Sequence, residues 1–159
     1  MKSILVYGDS LVWGRNASNR DRHKYEDRWP NILGARLKNV KVWEAGLGGR
    51  TTNLDFQGLP GRNGLKYLPV ALLQAAPLDL VILALGTNDL FAEAGRKPQD
   101  TVNAMRSLIK VTKDLPTAQG SSVPNTSPPK VMIVSPPNCL PLSSVTGEGF
   151  PELDELTQW

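Results

Sequence analysis

Three positions in the 159-residue sequence carry groups that acyl transfer can use. Ser10 comes shortly after an apolar run, and its hydroxyl is a candidate nucleophile. Gly49 can present a backbone N–H group and Asn88 a side-chain amide, and both kinds of donor can stabilise a developing oxyanion. Because each of the three follows a different apolar run, together they favour acyl-transfer chemistry more strongly than any one of them does alone.

Each of these positions also has a purely structural interpretation. A serine after a strand is often a turn or helix-capping residue, so Ser10 could serve only as a cap. Gly49 could simply permit a tight turn. Asn88 could form an Asx-turn or cap the next helix. These alternatives stay open on the residues alone.

The elements that would position these groups are visible as alternating apolar patterns. Runs rich in β-branched residues at 4–7, 40–43, 80–85 and 131–134 are typical of strands buried on both faces, as in parallel sheets. Helical spacing of apolar residues occurs between the runs, in three sets: Trp29, Ile32, Leu33 and Leu37; Leu68, Leu72 and Leu73; Val102, Met105, Leu108 and Ile109. Alternation of strand and helix predicts an α/β fold, in which ligands bind beyond the carboxyl ends of the strands.

The sequence blocks around the three candidates resemble a known family. Gly8-Asp9-Ser10-Leu11, Gly49 and Gly86-Thr87-Asn88-Asp89 are similar to three signature blocks of the GDSL-like SGNH hydrolases. Longer segments resemble the bacterial arylesterase and acyltransferase branch of that family: Gly8-Asp9-Ser10-Leu11-Val12-Trp13-Gly14, Arg50-Thr51-Thr52-Asn53, Leu78-Asp79-Leu80-Val81-Ile82 and Val134-Ser135-Pro136-Pro137.

The resemblance implies a role for each candidate. Ser10 would be the nucleophile and also supply an oxyanion-hole N–H, Gly49 a second N–H, and Asn88 its side-chain amide. The implied fold is a flavodoxin-like three-layer α/β/α sandwich with a parallel sheet. The implied substrates are small-molecule esters with short acyl or aryl groups, with acyl transfer to alcohols as an extension. Four residues are candidates for shaping the pocket, although each could equally pack: Trp13, Leu54, Phe56 and Phe91.

One block of the family pattern is missing. The family has a catalytic Asp-x-x-His near its C-terminus, whereas the one histidine here, His23, has Arg20 three positions before it. We therefore expect a single domain over residues 1–159 that is C-terminally incomplete. It would lack the last strand and helix, leave the fourth strand as an exposed edge, and have weak activity or none. His23 as a replacement base is disfavoured, because it lies among charged residues in a polar loop.

Two other function classes compete with an esterase. One is a non-catalytic remnant that keeps the pocket and acts as a ligand-binding or interaction protein. The other is a nucleotide-binding domain, which the turn Gly46-Leu47-Gly48-Gly49-Arg50-Thr51 disfavours because it lacks the last glycine of G-x-G-x-x-G. The segment from Gly8 to Arg15 also has no Walker lysine.

Composition excludes several further classes. The net charge is +3, and residues 15–28 interleave acids with bases, so we expect a solvated loop there and no nucleic-acid surface. The single Cys139 excludes an internal disulfide and a cysteine zinc site, and no metal or organic cofactor is implied. No apolar run reaches the ~20 residues of a membrane span or the ~7 of a signal peptide's core, which predicts a cytoplasmic protein. Homo-oligomerisation stays open.

Overall fold

The computed structural model describes residues 1–55, 59–90, 96–115 and 127–136, except for the side chain of Leu90. Two of the predicted pocket residues, Phe56 and Phe91, lie outside the described residues. So do Cys139 and the segment 150–157, which the sequence predicts could begin a helix.

Four parallel strands form one sheet in the described part of the chain. They are β1 (Lys2–Gly8), β2 (Val40–Gly46), β3 (Leu80–Ala84) and β4 (Lys130–Ile133), in the spatial order β2-β1-β3-β4. All three neighbouring pairs are parallel, with Gly8 opposite both Gly46 and Ala84. The four predicted strands are confirmed, and their order matches the first four positions of the flavodoxin-like order 2-1-3-4-5.

In the part of the chain that the structure describes, four α-helices and two 3₁₀ turns connect the strands. The helices are α1 (Ser10–Trp13), α2 (Trp29–Arg36), α3 (Gly64–Ala75) and α4 (Pro98–Asp114), and the 3₁₀ turns are Tyr25–Asp27 and Thr87–Leu90. The Asn63 side chain caps α3 by accepting a hydrogen bond from the Lys66 N–H at 3.1 Å. The three helices that the apolar spacing predicts are confirmed, and the short α1 was not predicted, because four residues carry no periodicity.

The sheet lies between two layers of helices. Along β1, Leu5 and Tyr7 belong to the apolar cluster that contains the buried leucines of α3 and α4. The alternate residues Ile4 and Val6 pack in a second cluster, with Val12 of α1 and partly buried residues of α2. Since successive residues of a strand point to opposite faces, this division gives the predicted three-layer α/β/α sandwich.

The chain changes direction across the sheet between β1 and β3. The segment after β1 crosses to β2 on one side, and the segment after β2 returns to β3 on the other. Such a switch point leaves a crevice at the carboxyl ends of the two strands, where open α/β sheets bind ligands. At the far edge, the described residues place no strand beyond β4, and Met132 and Ile133 are each 50% exposed.

Candidate functional site

Ser10 is the first residue of α1, immediately beyond the carboxyl end of β1. The buried carboxylate of Asp9 caps this helix by accepting a hydrogen bond from the Leu11 N–H at 2.9 Å. The cap fixes the turn from strand to helix at the point where Ser10 leaves the sheet. Ser10 itself is half-buried.

Two glycines let α1 lie directly on the backbone of the sheet. A Cβ atom at Gly8 would lie 2.3 Å from the Cγ2 of Val12, and one at Gly46 would lie 2.1 Å from the backbone nitrogen of Trp13. No side chain fits at either distance. The helix that begins with Ser10 therefore packs against the last residues of β1 and β2 at a distance that leaves no room for a Cβ atom at Gly8 or Gly46.

Gly49 lies in a tight turn after β2. The Arg50 N–H closes this turn by donating to the Leu47 carbonyl at 3.1 Å, and the Leu47 N–H donates to the Gly8 carbonyl at 3.1 Å. Gly49 has a φ of 75°, which side-chain-bearing residues rarely adopt. The turn interpretation and the chemical interpretation of Gly49 are therefore compatible, since the turn is what presents its N–H group.

Asn88 lies in the 3₁₀ turn that follows β3 and is 7% exposed. Its Nδ2 donates a 2.9 Å hydrogen bond to the carbonyl oxygen of Arg50, in the loop after β2. The amide thus bonds across two loops, and the described residues show no Asx-turn bond to its side-chain oxygen. One hydrogen of the amide is used in this bond, and the second remains available to a ligand.

The three predicted residues lie at one edge of the sheet, beyond three adjacent strands. Among the described residues, the Oγ and N–H of Ser10 and the N–H of Gly49 have no hydrogen-bond partner. The bond from Asn88 to Arg50 brings the amide beside the Gly49 turn. Their convergence on a single oxygen position stays a prediction.

Two buried carboxylates flank these groups. Burial raises the pKa of Asp9, against the lowering effects of its hydrogen bonds with the Leu11 N–H and the Thr87 side chain. Burial likewise raises the pKa of Asp89, while hydrogen bonds from Thr52 oppose the shift. Asp89 accepts bonds from both the N–H and the hydroxyl of Thr52, and Arg96 lies 3.4 Å from it. These contacts fasten the Asn88 turn to the loop after β2.

Arg50 is a site residue that the sequence did not single out by its chemistry. It is 8% exposed, and its guanidinium donates to the carbonyls of Gly8 and Ala45. An arginine in a glycine-rich loop normally predicts a solvated side chain, so no sequence signal short of the family motif could have found it.

The polar loop 15–28 is mostly exposed, as the sequence predicts, but two of its arginines anchor it to the sheet. Glu44 of β2 accepts hydrogen bonds from Arg22 and Arg28. The Arg22 guanidinium lies 5.0 Å from the centre of the Trp13 ring. The sequence could not show this, because the partners of Glu44 are distant from it along the chain.

His23 lies in this anchored loop. Its N–H donates to the Gly14 carbonyl at 2.8 Å, and its own carbonyl accepts from the Arg28 Nε at 3.0 Å. The side chain is half-buried. These backbone bonds explain why His23 stays beside the end of α1, and a catalytic part for its imidazole stays untested.

The described residues contain neither a metal-binding cluster nor a membrane-spanning helix. No group of three or more histidine, cysteine, aspartate or glutamate side chains there could hold a metal ion. Among the described helices, none has the length and apolar character needed to cross a bilayer.

Comparison with known proteins identifies the family. The model of the GDSL-like Lipase/Acylhydrolase family matches residues 6–158. No protein with a curated functional description matches the chain.

Three solved structures illustrate the likeness. Est24, a carbohydrate acetylesterase from Sinorhizobium meliloti, is 36% identical with a TM-score of 0.84, over 98% of this chain and 76% of that protein. A candidate arylesterase from Agrobacterium tumefaciens str. C58 is 41% identical with a TM-score of 0.79, over 88% of this chain and 66% of that one. The aryl esterase of M. smegmatis is 37% identical with a TM-score of 0.79, over 90% and 67%.

The chain thus spans about two thirds to three quarters of the length of these proteins. Within that span, both the sequence blocks and the order of the strands agree with the family's pattern. Because the family model extends over nearly every residue, the chain belongs to the GDSL-like lipase/acylhydrolase family.

Proposed function

We propose that the protein is a serine ester hydrolase that acts on short acyl or aryl esters, with transfer of the acyl group to alcohols as a second outcome. The observation that carries this proposal is the set of unused groups at the carboxyl edge of the sheet. The Oγ and N–H of Ser10 and the N–H of Gly49 lack partners among the described residues, and Asn88 has one N–H to spare. The names of the arylesterase and acetylesterase structures support the substrate class.

The reaction proceeds in two steps. The Ser10 oxygen attacks the ester carbonyl while an imidazole takes its proton, and the tetrahedral oxyanion is held by the N–H groups of Ser10 and Gly49 and by the Asn88 amide. Collapse expels the alcohol or phenol, which takes the proton from the imidazolium, and leaves an acyl-serine. Water or another alcohol then attacks the acyl group and regenerates Ser10.

These 159 residues do not contain the catalytic base in the form that the family uses. In the family that the sequence resembles, the imidazole belongs to an Asp-x-x-His block, whereas the one histidine of this sequence is His23. A polypeptide of these 159 residues should therefore acylate slowly. A second candidate, which needs no base, is a non-catalytic protein that binds esters or related ligands at the same edge of the sheet.

One experiment separates the two candidates. The 159-residue chain is incubated with phenyl acetate and with imidazole in solution as the base, and the rate is compared with the same solution without protein. We expect excess hydrolysis that disappears in Ser10→Ala, and an acetyl group on Ser10 by mass spectrometry. If Ser10→Ala matches the parent in rate, the nucleophile assignment is wrong. Binding of phenyl acetate without any acylation would favour the non-catalytic candidate.

A further inference from the structure

Arg50 is a buried cation that the acyl-transfer steps do not use directly. Among the described residues, no carboxylate lies within ion-pair distance of its guanidinium, although the charge of Asp9 attracts it from farther away. Its Nε has no hydrogen-bond partner there. Burial lowers the pKa of Arg50, yet a guanidinium still keeps its proton at neutral pH. Burying a charge without an ionic partner is unfavourable, so its presence at this edge of the sheet calls for a compensating role there.

The guanidinium joins the ends of two strands. The Nη1 of Arg50 donates to the Gly8 carbonyl at 3.0 Å and to the Ala45 carbonyl at 2.6 Å. Gly8 is the last residue of β1, two positions before Ser10, and Ala45 is next to the last residue of β2. A single nitrogen therefore bridges the end of the strand that leads to Ser10 and the end of the strand that leads to the Gly49 turn.

The backbone of the same residue reaches the third donor. The Arg50 N–H closes the turn that contains Gly49 by bonding to the Leu47 carbonyl at 3.1 Å. Its carbonyl accepts the 2.9 Å bond from the Asn88 amide. Arg50 is thus bonded to the end of β1, to the Gly49 turn and to the Asn88 side chain at once.

A planar contact fixes the orientation of the guanidinium. The Cζ of Arg50 lies 4.3 Å from the centre of the Tyr7 ring, and the Tyr7 hydroxyl is held in turn by the Gly64 carbonyl at 2.8 Å. A lysine at this position would carry the charge but has no flat face to lie against the ring. The arrangement therefore depends on the shape of arginine as well as on its charge.

From these contacts we infer that Arg50 is the positioning residue of the acyl-transfer site, which sets the relative placement of the Ser10 N–H, the Gly49 N–H and the Asn88 amide. This inference rests on the proposed function for its catalytic consequence. Arg50 itself does not touch the substrate. It acts through the three donors, whose alignment on one oxygen determines how well the oxyanion is stabilised.

The structural part of the inference can be tested without catalysis. In the ¹⁵N-labelled 159-residue chain, Arg50→Met should shift the resonances of the Asn88 side-chain amide and of the Ser10 and Gly49 backbone amides. The matched control is Arg106→Met, which removes an exposed guanidinium from α4 and should leave these resonances in place. Unchanged site resonances in a folded Arg50→Met would overturn the inference. If Arg50→Met does not fold, Arg50→Lys replaces it, and the same two outcomes decide.

The catalytic part uses phenyl acetate with imidazole as the base. We expect the Ser10-dependent kcat to fall about 100-fold in Arg50→Met while KM changes little, because misplaced donors weaken transition-state binding more than substrate binding. Arg50→Lys should recover only part of this loss, and full recovery would show that charge alone matters. Unchanged kcat in both variants would also overturn the inference. Absence of any Ser10-dependent rate in the parent would instead refute the proposed function and leave the amide resonances to decide on positioning.

Discussion

The side-chain amide of Asn88 and the carbonyl oxygen of Arg50 are 2.9 Å apart and share a hydrogen bond. This bond joins the loop after β3 to the loop after β2, across the end of β1. It uses one of the two amide hydrogens and orients the second. The amide is therefore pre-organised before any substrate arrives, which is the condition for strong stabilisation of an oxyanion.

Removal of this amide should reduce turnover more than binding. In a version of the protein extended by an Asp-x-x-His segment, Asn88→Ala should lower kcat on phenyl acetate by about 10²–10³-fold, as loss of one oxyanion donor does elsewhere. Steady-state kinetics measure this, with Asn103→Ala on the exposed side of α4 as the control. A kcat for Asn88→Ala equal to that of the parent would remove Asn88 from the oxyanion hole.

The 159-residue chain should be a poor esterase beside the extended version. Without a positioned base the Ser10 hydroxyl is a weak nucleophile, although the oxyanion hole and substrate binding can leave about 10³–10⁴-fold catalysis over water. Turnover of phenyl acetate by the two proteins, without added imidazole, measures the difference. Comparable turnover by the short chain would contradict the prediction, and its loss in His23→Ala would identify that histidine as the base.

A methyl group at Gly46 should damage the site through the backbone. The added Cβ would lie 2.1 Å from the Trp13 nitrogen and 2.5 Å from the Val12 carbonyl carbon, so α1 must move. We expect Gly46→Ala to lower the free energy of unfolding by about 1–3 kcal/mol, as overpacking does. Chemical denaturation measures this. Gly48→Ala is the matched control, because nothing lies within 4 Å of a Cβ there, and an equal loss in both variants would refute the steric explanation.

Alkaline pH should destabilise the fold through Tyr7. Burial raises the pKa of this phenol from 10.0 to about 12, against the opposing attraction of Arg50. The folded state therefore holds the proton more tightly than the unfolded state. Its contribution is complete below pH 10 and is lost as the pH rises through about 12.

The free energy of unfolding, measured by denaturant at several pH values, should thus fall across this window by about 2–3 kcal/mol. In Tyr7→Phe, which also loses the bond to Gly64, the overall stability should be lower but this part of the pH slope should disappear. A parallel slope in parent and variant would assign the alkaline effect to other groups.

The sequence predicted the sheet more completely than it predicted the site. Apolar runs located all four strands, and β2 was underestimated only where it continues through Glu44 to Gly46. The expectation of burial on both faces holds for β1 and β3, whereas β2 is half-buried and β4 is largely exposed, because each of these two lies at an edge of the described sheet. Ser10, Gly49 and Asn88 were candidates because their types match a reaction.

What the sequence could not reveal are contacts between distant residues. Nothing near Arg50 in the chain shows that its guanidinium turns back to Gly8, 42 positions away. Likewise, the attachment of Arg22 to Glu44 depends on loop 15–28 folding back over β2. Such contacts follow from the tertiary fold, and periodicity carries no information about them.

The contact of α1 with glycine backbone has a consequence for engineering this protein. Because α1 lies against Gly8 and Gly46 on the face of the sheet opposite α3 and α4, the location of the nucleophile depends little on which apolar side chains fill the core beneath those two helices. Volume-conserving exchanges among those side chains usually cost less than about 1.5 kcal/mol. Thermal stability and reactivity can therefore be selected separately in this protein. Libraries that vary the leucines beneath α3 and α4 should yield more stable variants in which Ser10 remains in place, whereas Gly8 and Gly46 should tolerate no substitution.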